Sequence, residues 1–260
     1  MATSYPEASC VPSECRLSIA KFNQRSNIAM MHMFFGDSHS RQFVGTSWGI
    51  FCHYVFSGAT IKGLGNKNST TGHNEIIIDA VSARAPKTLF FMFGSVDLDF
   101  TYVKMCHSKS IDKENFIEER IKIYSEFLQN VIKTGKNIDN IFILGPQLSP
   151  LKGENFFRQS YKHVEIAEEE IRKTAALYPL SDHDRSSLVV EFNDKLEVNL
   201  KEELNIRMLR IDKAMMGEDG LIRDEFIPDD ISDHHARTDK TQAIWRTIIN
   251  EHVKIHTITG

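Results

Sequence analysis

Apolar residues recur along this chain at two spacings. Short apolar runs occupy residues 28–35, 52–56, 87–93, 140–145 and 205–212. They read as strands, and 87–93, apolar on both faces, as a strand of a covered parallel sheet. Between them lie stretches with helical spacing, at 40–51, 112–134, 164–177, 185–204 and 239–255. In 112–134 the apolar set includes Phe116, Ile117, Ile121, Tyr124, Phe127, Leu128 and Val131, with Asp112 placed to cap the helix. In 239–255 it is Ile244, Trp245, Ile248, Ile249 and Val253. Residues 57–74 are rich in Gly, Ser, Thr and Asn and read as a loop; 94–99, 148–162 and 215–232 read as irregular. Residues 1–27 carry Pro6 and Pro12 with weak periodicity and read as an irregular N-terminal extension. Strands separated by helices predict one α/β domain over 28–260: a three-layer α/β/α sandwich, flavodoxin-like, with a mainly parallel sheet.

Composition narrows the function classes. A length of 260 residues suits one large α/β domain. With 31 basic against 35 acidic residues and no basic stripe, no nucleic-acid partner is expected. No apolar run approaches the length of a membrane span, and the first residues lack the basic and apolar regions of a secretory signal. The four cysteines, Cys10, Cys15, Cys52 and Cys106, show no metal-binding or redox spacing. These features predict reduced thiols and a cytoplasmic location. The eleven histidines are scattered with no HExxH pair, and no cofactor is expected.

The densest chemistry follows the first strand, at Gly36-Asp37-Ser38-His39-Ser40. A strand ending in Gly-Asp-Ser before a helical turn puts a hydroxyl at the sheet's carboxyl edge, where open α/β sheets bind ligands. Ser38 is therefore a candidate nucleophile whose own N–H is a ready oxyanion donor. The plainer alternative is that Asp37 and Ser38 only cap the next turn. Three later loops reach the same edge: 57–65 with its glycines, 94–99, and 229–235 with Asp230, Asp233, His234 and His235. A nucleophile early and an acid–histidine cluster late is one chain order of Ser-His-Asp chemistry.

With these residues in view, the chain resembles the SGNH (GDSL-like) hydrolases over about 28–255. Gly36–Ser40 matches the family's first block. Gly63 is the best match to the second-block glycine, an oxyanion donor, with Gly65 and Gly58 as alternatives. Gly94-Ser95-Val96-Asp97 matches the third block, Gly-x-Asn-Asp, except that Val96 stands where the family has its donor Asn. The usual Asp-x-x-His block is altered, since Ile231 and Ser232 precede His234 and His235 by three positions. The Phe-Gly-x-x-Asp form of the third block and the stretch from Gly58 to Ser69 are similar to a divergent branch often linked to glycan modification.

The resemblance implies an esterase with Ser38 as nucleophile, His235 as base and Asp233 as its orienting acid. Gly63 is the expected oxyanion donor and Asp97 a residue that holds the site's shape. The substrate is expected to be a small or carbohydrate ester. Ala236, small as the family commonly has it, favours His235 over His234; an Asp230–His234 pairing at i, i+4 stays open. An O-acyltransferase, a non-catalytic glycan-binding module and a metal site of Asp37, His39, Asp97 and His234 are the alternatives. Phe100 and Tyr102 are candidate pocket residues, and Lys104, His107 and Lys109 could meet an anionic group.

Overall fold

A computed structural model describes residues 32–44, 51–66, 69–109, 111–204 and 206–252. The expected extension 1–27, Cys10, Cys15, the start of the first strand and residues 45–50 lie outside the described residues. Five strands, β1 (His32–Gly36), β2 (Phe51–Val55), β3 (Thr88–Met92), β4 (Asn140–Leu144) and β5 (Arg207–Leu209), form a sheet in the order β2-β1-β3-β4-β5. Every pairing is parallel. The helices are α1 (Ile61–Gly65), α2 (His73–Arg84), α3 (Tyr102–His107), α4 (Lys113–Thr134), α5 (Glu154–Val164), α6 (Glu168–Ala175), α7 (Asp182–Leu204), α8 (Asp212–Met215) and α9 (Thr238–His252).

Strand alternation sorts the aromatic residues onto two faces. Phe34, Phe90 and Phe142 are register partners on adjacent strands, with rings stacked at 5.7 and 5.3 Å. Phe43 covers Phe34 at 4.7 Å and Trp245 of α9 meets Phe43 at 6.1 Å. On the opposite face Phe35 stacks on Phe91 at 5.4 Å, and Phe127 of α4 meets Phe91 edge-on at 5.7 Å. Helices thus cover both faces, giving the expected three-layer α/β/α sandwich. Among the described residues no helix is long and apolar enough to cross a membrane. Cys52 and Cys106 are buried and form no disulfide among the described residues.

Several local expectations are corrected. Helix α2 forms where no element was expected, because Ile76, Ile77 and Ile78 are consecutive and only Ile77 is fully buried. Residues 154–164, expected to be irregular, are α5, whose buried Phe156, Ser160 and Val164 recur every four residues among polar neighbours. Glu165 then takes a left-handed φ of 58° and ends that helix, so the one expected from 164 starts at Glu168. Residues 97–101 are a π-helical turn leading into α3, not a loop. The expected helix at 40–51 is a 3-10 turn, Ser38–Phe43, as far as it is described.

The strand order reverses direction between β1 and β3, and the loops leaving them part there. This switch point is where such sheets open a crevice. A buried ion pair braces it. Arg120 Nε of α4 donates to Asp97 Oδ1 at 2.7 Å, and the Ile61 N–H donates to Asp97 Oδ2 at 2.7 Å. Both side chains are 0% exposed, and the guanidinium lies 4.6 Å above the Phe116 ring. Removing one member of such a pair strands a charge without solvent. Arg120→Ala is expected to lower the unfolding free energy by about 3–5 kcal/mol in urea titrations. A loss under about 1 kcal/mol, the size of an exposed pair, would contradict this role.

Candidate active site

The first loop is set by contacts that only glycine permits. A Cβ on Gly36 would lie 2.8 Å from the Met92 carbonyl oxygen and 2.5 Å from Ser40 Cβ. The chain turns sharply there, with Asp37 N–H donating to Met92 O at 3.0 Å. Asp37 caps the following turn by accepting from His39 N–H at 2.9 Å. Ser38 is the first residue of that turn, and 8% of its surface remains exposed.

The last loop delivers the histidines. Asp233 Oδ1 accepts from the His235 N–H at 2.9 Å and bonds ring Nδ1 at 2.7 Å. His235 Nε2 lies 2.9 Å from Ser38 Oγ. An ionised carboxylate only accepts, so Nδ1 carries the proton and the Nε2 lone pair faces the Ser38 hydroxyl. Ser38, His235 and Asp233 thus form one continuous chain of hydrogen bonds. Asp230 is not brought to His234; it accepts instead from Ser232 N–H and Oγ–H.

The same arrangement occurs a second time. Asp37 Oδ1 takes both the His39 N–H and, at 3.1 Å, His39 Nδ1, as Asp233 does for His235. The two histidine rings lie 4.7 Å apart between centroids. Burial opposes charge on His39, but the Asp37 charge and hydrogen bond, with Asp99 and a bond to the His234 backbone, raise its pKa. His39 thus holds a proton more readily than a free imidazole does, beside the candidate base.

His235 is pushed the other way. Burial first, and then the charge of His39, lower its pKa, against the pull of Asp233. It is neutral at pH 7 and able to accept a proton. His234 falls to about 3, through burial and then its neighbours His235, His39 and His163. On Asp233 burial is outweighed by the His235 hydrogen bonds and charge, and its pKa falls.

The cleft over Ser38 has a volume of about 540 Å³ and is lined by Gly58, Thr60, Val96, Phe100, His234 and His235 among others. Gly63 is not among the lining residues; its N–H donates to Thr60 Oγ1 at 2.9 Å, capping α1. This corrects the expected donor. Gly58, with φ 73° and open space around its Cβ position, lines the cleft in its place. Neither the Ser38 nor the Gly58 N–H has an acceptor among the described residues. Gly58 follows β2 by three residues, whereas Gly63 lies inside a capped helical turn.

Asp97 sits behind the cleft, held by Arg120 and the Ile61 N–H; burial raises its carboxyl to about 6 against those partners. Val96 lines the cleft without a side-chain donor. Phe100 lines it too, while Tyr102 packs into the core against Phe116 at 5.0 Å. The four-residue metal set does not assemble, because Asp97 is committed to Arg120. His39, His234 and His235 do place ring nitrogens within 4.8 Å of one another. His39 Nδ1 is bonded to Asp37, however, and both His235 nitrogens are bonded, to Asp233 and Ser38.

No protein-family model matches the chain, and no curated protein matches its sequence. Solved structures do match its fold. A GDSL-like lipase from Bacteroides thetaiotaomicron is 12% identical with a TM-score of 0.54, covering 93% of this chain and 96% of that one. A lipase from a goat rumen metagenome is 14% identical with a TM-score of 0.50, covering 85% and 95%. The chain thus has the SGNH, or GDSL-like, hydrolase fold.

The His235 imidazole is expected to titrate, by nuclear magnetic resonance, with a midpoint below the ordinary 6.5. His39→Gln removes the neighbouring imidazole whose charge lowers it and should raise that midpoint. A wild-type midpoint above 6.5, or a fall in the variant, would contradict this electrostatic arrangement.

Proposed function

We propose that the chain is a serine esterase acting on small or carbohydrate O-acyl esters. The observation that carries the reading is the hydrogen-bonded chain Ser38 Oγ–His235 Nε2 and His235 Nδ1–Asp233 Oδ1, at 2.9 and 2.7 Å. A hydroxyl is a poor nucleophile until a base removes its proton, and the neutral His235 is within reach of it. As Ser38 Oγ attacks the acyl carbon, its proton passes to Nε2 and the carbonyl electron pair moves onto oxygen. The Ser38 and Gly58 N–H groups face that oxyanion. Collapse expels the alcohol, which takes the proton from Nε2, and leaves an acyl ester on Ser38. Water, deprotonated by His235, releases the acid and restores the hydroxyl.

Val96 sets the expected scale of activity. Loss of one oxyanion donor costs about 2.7–4 kcal/mol, or roughly 10²–10³ in kcat. A slow esterase is the expected outcome. Arg41 and Lys104 at the cleft wall are exposed, so water reaches the site, which favours hydrolysis over transfer to a second alcohol. The non-catalytic reading loses support from the same geometry, since a scaffold without chemistry has no need of a base aimed at a serine.

A serine-directed fluorophosphonate should label the wild type and leave Ser38→Ala unlabelled; equal labelling rejects the nucleophile. His235→Ala should lower kcat on short-chain nitrophenyl esters by about 10²-fold or more, and by more than His234→Ala does. The reverse order would move the base to His234.

A further inference from the structure

The protein carries a net charge of −4, yet among the described residues no Asp or Glu lines the cleft over Ser38. The acids behind it are already matched or withdrawn. Asp37 is bonded to His39, Asp97 to Arg120, and Asp233 to His235. Asp99 is pushed by burial up to about 6, against the charges of His39 and Arg185.

Two cations remain on the cleft wall. Arg41 projects from the turn that begins at Ser38, and its Nη2 donates to Ser57 Oγ at 2.7 Å. That bond steadies the guanidinium beside Gly58 while leaving most of its donors free. Lys104 stands on α3, and its ammonium has no carboxylate partner among the described residues. Elsewhere on this surface Arg172 is paired with Glu154 and Glu168, and Lys173 with Glu169 and Glu170. Between the cations the wall is apolar or neutral, from Val96, Phe100 and the neutral His234. A cleft lined by one sign of charge over low-dielectric walls concentrates ligands of the opposite sign.

We infer that the cleft selects esters bearing an anionic group, a carboxylate or a phosphate, held by Arg41 and Lys104 while the acyl carbon meets Ser38. This rests on the esterase reading above and adds the substrate's charge to it. An aryl acetate carrying the anion para to the ester tests it without self-catalysed hydrolysis. The probes are 4-acetoxybenzoate and 4-acetoxyphenyl phosphate, with 4-acetoxybenzamide as the neutral control.

The readout is the ratio of kcat/KM for each anionic ester to that for the amide. Two exposed ion pairs are together worth roughly a three- to tenfold preference, and that preference should shrink at high salt. In Arg41→Ala/Lys104→Ala the ratio should fall to about one by the same reckoning. A larger ratio for the phosphate than for the benzoate, or the reverse, identifies which anion the cleft suits. A wild-type ratio of one or less, or a ratio unchanged in the double variant, overturns the inference while leaving a labelled, active Ser38 intact. If Ser38 is unlabelled and no ester is turned over, the esterase reading fails separately. Calorimetric titration of 4-hydroxybenzoate against 4-hydroxybenzamide then still decides the matter, since equal binding overturns the anionic preference.

Discussion

One imidazole, bonded at both nitrogens, is what the rest of the site depends on. His235 reaches Ser38 with Nε2 only because Asp233 fixes Nδ1 and the ring plane. The loop that carries it has little regular structure, so its backbone must be tied elsewhere. Asp233 N–H donates to Asp230 O at 2.9 Å and Arg237 N–H to Phe226 O at 2.8 Å. Phe226 is buried, and Trp245 of the following helix is fully buried against Phe43, which itself packs on Phe34 of the sheet. The position of the base is therefore inherited from core packing on one face of the sheet. That is how a scaffold converts apolar burial into a distance of a few ångströms between reacting groups.

The electrostatics follow the same economy. Asp37 and Asp233 use the same local geometry, an acid holding the ring two residues ahead, toward opposite ends. On His39 the charges of Asp37 and Asp99 and the hydrogen bonds outweigh burial and raise the pKa; on His235 burial, and then the charge of His39, outweigh Asp233 and lower it. Two similar side chains 4.7 Å apart are therefore shifted in opposite directions by their surroundings. Asp97, with Arg120, braces the turn behind the cleft, so the third loop contributes shape where a side-chain donor is missing at Val96.

The architecture was legible because strand signals here are strong. The unbroken apolar runs at 87–93 and 140–145 leave little choice but a covered sheet, and both become strands. Elements were missed where burial does not follow a clean period. Helix α2 buries one of three successive isoleucines, and α5 hides Gln159 and Ser160 alongside Phe156. The local block Gly36–Ser40 pointed to Ser38 because glycine, acid and hydroxyl act within one turn. The choice of Gly63 over Gly58 failed for a physical reason. A glycine's availability as a donor depends on whether its N–H is already used, and the capping by Thr60 two positions into α1 is a three-dimensional fact. The expectation of Asp233 and His235 as partners agrees with the hydrogen bonds between them. The raised pKa of His39 could not be read from its neighbours in sequence alone, since Asp99 and the His234 backbone reach it through space.

The central claim is that Ser38 Oγ becomes covalently acylated with His235 as its base. Rapid-quench peptide mass spectrometry during turnover of an activated acyl ester tests it most directly. The account predicts that the peptide holding Ser38 gains the acyl mass within the first turnover, and that the adduct decays as acid is released. Turnover with the acyl mass on another residue, or with none on any peptide, would contradict it.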